Sequence, residues 1–263
     1  MTFRPVSPRL LFGLAGAAAL AGSLVLGSTL ATAESTQSEF NADQTDAIGQ
    51  IVREYLLENP EVMIEVFERL EVQQAAVEKQ AAQAAIASNA DGLFNDDYSY
   101  VYGNPDGDVT VVEFFDYKCG YCKRAVKDVI AAVEEDGNIR LVYKEFPILS
   151  EQSEIAARVA MAAISQNKYM ELHLALMATS GDLDEDRIMR IADDAGLDTD
   201  RLKQDMKDPG IEAAIERNHQ LAREIGIDGT PAFIIGNQLV PGAVSKERLL
   251  EVVEQERTSC VSC

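Results

Sequence analysis

The chain has no tryptophan, only two histidines and only four cysteines among its 263 residues. His173 and His219 lie far apart, and neither has a second ligand at the short spacing a zinc site uses, so no metal site is expected. Four cysteines are too few, and too closely paired, for a scattered framework of bridges. Positive charge is also scarce: 23 Lys+Arg stand against 44 Asp+Glu, a formal net charge of −21. Such a surface repels nucleic acid and anionic lipid, and excludes both as simple electrostatic partners. No glycine-rich stretch has the order of a phosphate loop or dinucleotide fingerprint, and no haem or flavin motif occurs, so no cofactor is expected.

Hydrophobic residues make up 47% and charged residues 25%, which is enough apolar material for a real core. One long apolar run, from Leu10 to about Leu26, follows Arg4 and Arg9 and precedes Ala31-Thr32-Ala33. This reads as an export signal over 1–33 cut before Glu34, or, if uncut, as a membrane anchor. Its removal takes away two arginines and no acid, which makes the remainder more negative still. Export points to the periplasm, an oxidising compartment in which disulfides persist.

Residues 34–97 read as an N-terminal helical arm and linker. Ile48, Ile51, Val52, Tyr55 and Leu56 fall on one side of a helix from about Asp43 to Glu58. Asn59-Pro60 reads as an N-cap and first residue of a second helix, continuing to about Ser88 with Met63, Val66, Phe67 and Leu70 as its stripe. A helix of roughly 45 Å cannot bury such a stripe alone, so it packs either on the rest of the chain or on a partner helix. Asn89 to Asp97 reads as a linker.

From Tyr98 the pattern becomes α/β. Strands are expected at 98–102 and Val109–Phe115, a helix from Cys119 to about Glu135, and another strand at Ile139–Phe146. Residues 151–208 are helical throughout, an insertion in the α/β domain spanning 98–256. Strand signals return at Ala232–Ile235 and Leu239–Val240, and a final helix covers about 245–256. Residues 257–263 form a tail carrying Cys260 and Cys263.

Cys119-Gly120-Tyr121-Cys122 follows a buried strand and opens a helix. Amide groups at a helix N-terminus face the first sulfur, and such placement lowers a thiol pKa from roughly 8.5 into a range of about 3.5–7.5. Lys118, Lys123 and Arg124 add positive charge nearby. Cys122 is one turn on, at a spacing a disulfide can bridge, so Cys119 attacks and Cys122 resolves. An inert bridge at the helix start is the alternative. Zinc is a weaker one, since it normally needs two further ligands. Thr230-Pro231 just before the apolar strand supports redox chemistry, because a proline there serves geometry and a cis peptide would present the Thr230 backbone to an extended partner.

With these motifs in place, residues 98–256 resemble the DsbA-like branch of the thioredoxin superfamily. The resemblance rests on Val111-Val112-Glu113-Phe114-Phe115-Asp116-Tyr117, the Cys119–Cys122 motif, the helical insertion, and Gly229-Thr230-Pro231 before a strand. It implies a thioredoxin fold with an inserted helical domain, preceded by a helical arm. It also implies that Cys119 is the nucleophile, that Pro231 is cis and faces the disulfide, and that Glu113 is a buried acid taking the Cys122 proton during resolution. Oxidases of this family usually carry Pro-His between the cysteines, whereas Gly120-Tyr121 and Thr230 are similar to the isomerase DsbC. The arm over 43–88 is similar in placement to the oligomerising region of ScsC-type proteins. The resemblance thus implies a periplasmic oligomer that acts as isomerase or reductase on unfolded or misoxidised exported proteins, with a membrane redox partner. A net dithiol oxidase and a copper-handling protein are the alternatives. Cys260 and Cys263 read as a terminal disulfide, a secondary relay or a metal-capture pair.

Overall fold

The computed structural model describes residues 40–259, so the signal over 1–33 and the pair Cys260 and Cys263 lie outside the described residues. It divides into two units at Pro60. The first holds helix α1 (Ala42–Glu58), closed at its N-terminus by a capping box in which Asn41 and Gln44 bond each other's backbone amides. None of its residues is buried. Asn59 terminates α1, its backbone and side-chain N–H groups both donating to the Tyr55 carbonyl.

The second unit begins with α2 (Glu61–Ser88) and a short α3 (Ala90–Phe94). A mixed five-stranded sheet follows, ordered β1-β3-β2-β4-β5. Its strands are β1 (Tyr100–Gly103), β2 (Val109–Phe115), β3 (Ile139–Glu145), β4 (Ala232–Ile235) and β5 (Gln238–Pro241). Only β2 and β3 run parallel, joined through α4 (Gly120–Asp136); the other neighbours are antiparallel. The helical insertion comprises α5 (Glu151–Ala163) with a 3-10 turn, α6 (Tyr169–Ala178), α7 (Glu185–Asp194) and α8 (Thr199–Asp205). Then come α9 (Pro209–Ile225) and α10 (Lys246–Ser259), the latter extending into residues read as tail.

Period-2 alternation sends β2 side chains to two cores. Val109, Val111 and Phe115 meet α4, α10 and the insertion. Val112 and Phe114 meet Leu221, Ala222 and Ile225 of α9, together with Ile86 and Leu93 from α2 and α3. The segment 89–97 is therefore anchored, unlike the linker expected. Leu93 is fully buried, the Phe94 carbonyl accepts from Arg140 at 2.8 Å, and the Asp96 carboxylate pairs with a buried Lys144. Its Gly, Asp and Asn residues signal irregular backbone, but the partners that fix them lie about fifty residues away, beyond any local pattern.

Candidate active site

Strand β2 carries the chain from the centre of the sheet to Asp116, where it turns into α4. Cys119 is the N-cap of α4, with extended φ −71° and ψ 113°. Its sulfur takes the place of the usual Ser or Asp oxygen, accepting from the Cys122 amide at 3.2 Å. Both cysteines are thiols. Cys119 is 5% exposed and Cys122 fully buried.

The Cys119 thiol is held down to about 6. The Cys122 thiol donates to it and is the largest cause; the Thr230 side chain and the Cys122 and Tyr121 amides add to this against the cost of burial. Cys122 moves the opposite way, pushed far up by burial and by its bond to Cys119. The three cations next to the motif are engaged elsewhere. Lys123 Nζ donates to the Thr179 carbonyl at 2.5 Å, Arg124 lies over the Tyr121 ring, and Lys118 lies 3.8 Å from Asp182. Hydrogen bonds, more than neighbouring charge, set this thiolate.

Thr230-Pro231 is brought to the same place. Gly226, in the left-handed conformation at φ 85°, ends α9 and releases the loop that leads into β4. The Thr230–Pro231 peptide is cis, and the Cys119 thiol donates to the Thr230 carbonyl at 3.1 Å. A cleft of about 320 Å³ opens beside them, lined by Tyr121, the 226–232 segment and residues of the turn after β5.

Glu113 lies inside the molecule, 2% exposed. Register places it between Tyr143 of β3 and Phe233 of β4. Water is lost to these neighbours, and that desolvation, followed by the repulsion of Cys119, pushes the carboxyl up to about 8. The Glu113 charge in turn contributes to the rise at Cys122.

Asp116 was not legible as a site residue. It is buried, and its carboxylate accepts from the amides of Lys118 at 2.7 Å, Ile148 at 2.9 Å and Leu149 at 3.0 Å, while its carbonyl accepts from the Cys119 amide. One side chain thus ties the redox turn to the loop after β3, which exposes Ile148 and Leu149. An aspartate between a strand and a helix reads as a turn former, and nothing in sequence indicates partners thirty residues away. Behind the site, His173 is caged by Phe115, Tyr117, Tyr143 and Tyr169, and burial holds it down to about 3, hence neutral. Among the described residues no group of three or more His, Cys, Asp or Glu could hold a metal ion.

This arrangement is the one a dithiol–disulfide exchanger needs: an ionisable first sulfur, a buried second one, and a cleft leading to the first. Residues 110–254 match the DSBA-like thioredoxin domain. The chain belongs to that family. Residues 44–76 also match the N-terminal domain of the copper resistance protein ScsC. A thioredoxin-like oxidoreductase from Silicibacter pomeroyi DSS-3 is 49% identical, covering 65% of this chain and 98% of that one, at a TM-score of 0.64. A linker-deletion variant of Proteus mirabilis ScsC is 27% identical over 85% of this chain and 100% of that one, also at 0.64. The Na(+)/H(+) antiporter NhaA 1 of Salinispora arenicola is 30% identical over 159 residues, 60% of this chain. The chain spans about a quarter of the length of that antiporter, and no described helix is long and apolar enough to cross a membrane. The chain is thus a member of the DsbA-like family, with a ScsC-like helical region before its thioredoxin fold.

Proposed function

We propose that this DsbA-like protein is exported to the periplasm and there reshuffles or reduces wrong disulfides in other exported proteins. The Cys119 thiolate attacks one sulfur of a client disulfide. The client S–S bond breaks, a Cys119–client mixed disulfide forms, and the released client thiolate takes a proton from water. In isomerisation another client thiolate then attacks the client sulfur of that bridge and frees Cys119 unchanged. In reduction Cys122 attacks Cys119, the client leaves as a dithiol, and the Cys119–Cys122 disulfide carries away the two electrons' worth of oxidation for a membrane partner to reverse.

The observation that carries this reading is the opposed behaviour of the two sulfurs. Cys119, at about 6, lies between the thioredoxin value near 7 and the DsbA value near 3.5, so its dithiol form is favoured less than in a strong oxidant. Cys122 holds its proton tightly, which delays resolution and leaves the mixed disulfide time to rearrange. Glu113 supplies the escape. While Cys119 is an anion it helps keep the carboxyl protonated; once Cys119 is tied up in a mixed disulfide that repulsion disappears while burial remains, so the carboxyl ionises more readily just when Cys122 needs a base. Thr230 and Pro231 position the client backbone beside the reacting sulfur. Arms over residues 43–88 gather several such sites into one homo-oligomer, a design suited to clients with several wrong bridges.

Refolding of a scrambled, fully oxidised ribonuclease tests this. Recovery of native pairing in a glutathione buffer, lost in Cys119→Ser and retained in part in Cys122→Ser, is the expected result. Rapid oxidation of reduced ribonuclease without recovery of the scrambled form would make the protein a net oxidase instead.

A further inference from the structure

The cleft beside Thr230 does not end at the active-site loop. Gly226, Leu239 and Pro241 line it and also line a second depression of about 720 Å³. The far wall of that depression is the C-terminal half of α2, through Ala75, Glu78, Lys79, Ala81 and Ala82. The two hollows share those three residues, and together they lead from Thr230, next to the reactive sulfur, past β5 to the arm helix.

We infer that α2 is the outer wall of the client site, and that an extended polypeptide segment flanking the client cysteine lies between residues 75–82 and β5. The inference rests on Cys119 as the attacking sulfur. Three observations commit the groove to an extended chain. It begins at Thr230, whose carbonyl lies 3.1 Å from Cys119 Sγ, so a chain lying in it at this end has its cysteine beside that sulfur. Its α2 wall spans about 11 Å, the length of three or four extended residues beyond those in the cleft itself. Alanines at 75, 81 and 82 leave that wall without long apolar side chains, so it admits a backbone with varied side chains instead of one bulky group.

The wall is also fixed in place. Ile86 of α2 is buried in the core with Leu221 and Ile225 of α9. Just beyond, Lys144 holds both the Gly92 carbonyl, at 2.7 Å, and the Asp96 carboxylate. A helix pinned at this end keeps its face at a set distance from β5 and needs no ordering when a client arrives, which lowers the cost of binding.

Ala82→Trp and, separately, Ala75→Trp fill the groove in the full chain. Three probes measure the result: oxidised glutathione, and mixed disulfides of a four-residue and a twelve-residue peptide with a central cysteine. Glutathione and the short peptide are expected to exchange at the wild-type rate in both variants, while kcat/KM for the long peptide falls about tenfold, chiefly through KM. Unchanged exchange of the long peptide, or an equal loss for all three probes, overturns the inference. Failure of the wild-type chain to exchange with glutathione would instead remove the reading of Cys119 on which it rests.

Discussion

A carboxyl group in the middle of the central strand is costly, and Glu113 shows where the cost is taken. Its proton is kept up to about 8, against an ordinary value of 4.5, by burial first and Cys119 second. A folded-state value raised in this way favours the fold fully below pH 4.5, and that contribution drains away as pH rises towards 8. Glu113→Gln cannot ionise, so the dithiol form of this variant is expected to gain on the wild type as pH rises from 4.5, by on the order of a few kcal/mol at pH 8. Urea midpoints of both reduced proteins at pH 5, 7 and 9 check this; parallel profiles would mean that the acid titrates normally. In the same variant, release of a client from the Cys119 mixed disulfide is expected to slow roughly 10²-fold, because Cys122 loses its base. The strand's own sequence flags the position: an acid flanked by Val111, Val112, Phe114 and Phe115 breaks a continuous apolar run. The pattern cannot show that Tyr143 and Phe233 close over it, since those neighbours are set by register with two other strands.

Among the elements, those with a strong local period were legible almost to the residue. β2 occupies Val109–Phe115 as read, and α4 begins one residue after its expected start because Cys119 is the cap. The segment before β1 was not legible, for a reason visible in Lys144. A lysine near the end of β3 reads as a solvated position, yet it is wholly buried, with Asp96 as its counter-charge and the Tyr98 ring 5.0 Å from its ammonium. Burial alone would drive that ammonium down, and Asp96 is the largest influence in the other direction. Removing one member of a buried pair leaves the other charge uncompensated, a loss of about 3–5 kcal/mol. Asp96→Ala is expected to lose that much in urea unfolding, and to make the end of α2 accessible to protease. Asp96→Leu combined with Lys144→Met should recover most of the stability, since an apolar pair of similar volume carries no such penalty. A single Asp96→Ala variant as stable as wild type would show that 89–97 is the loose linker its composition suggests.

The largest imbalance in the protein is between its charge and its arm. With a net charge of −21, two copies repel one another at low ionic strength. Yet α1 leaves Ile51 64% and Leu57 66% exposed, and the first half of α2 leaves Phe67 58% and Leu70 53% exposed. Burying these residues between copies is the driving force that could overcome the repulsion, and no catalytic group is among them. Association through the arm is therefore expected to strengthen with salt, as screening removes the opposing charge while apolar burial is retained. Sedimentation of the full chain should show a homo-oligomer whose dissociation on dilution is reduced between about 20 mM and 300 mM sodium chloride. Phe67→Glu with Leu70→Glu should give a monomer at both concentrations. That monomer keeps the Cys119 environment, so its exchange with glutathione is expected to match wild type, while its recovery of scrambled ribonuclease falls because one site must now find each wrong bridge alone. An arm variant that stays oligomeric, or a monomer that reshuffles as well as the parent, would detach the arm from the chemistry and leave each catalytic domain working by itself.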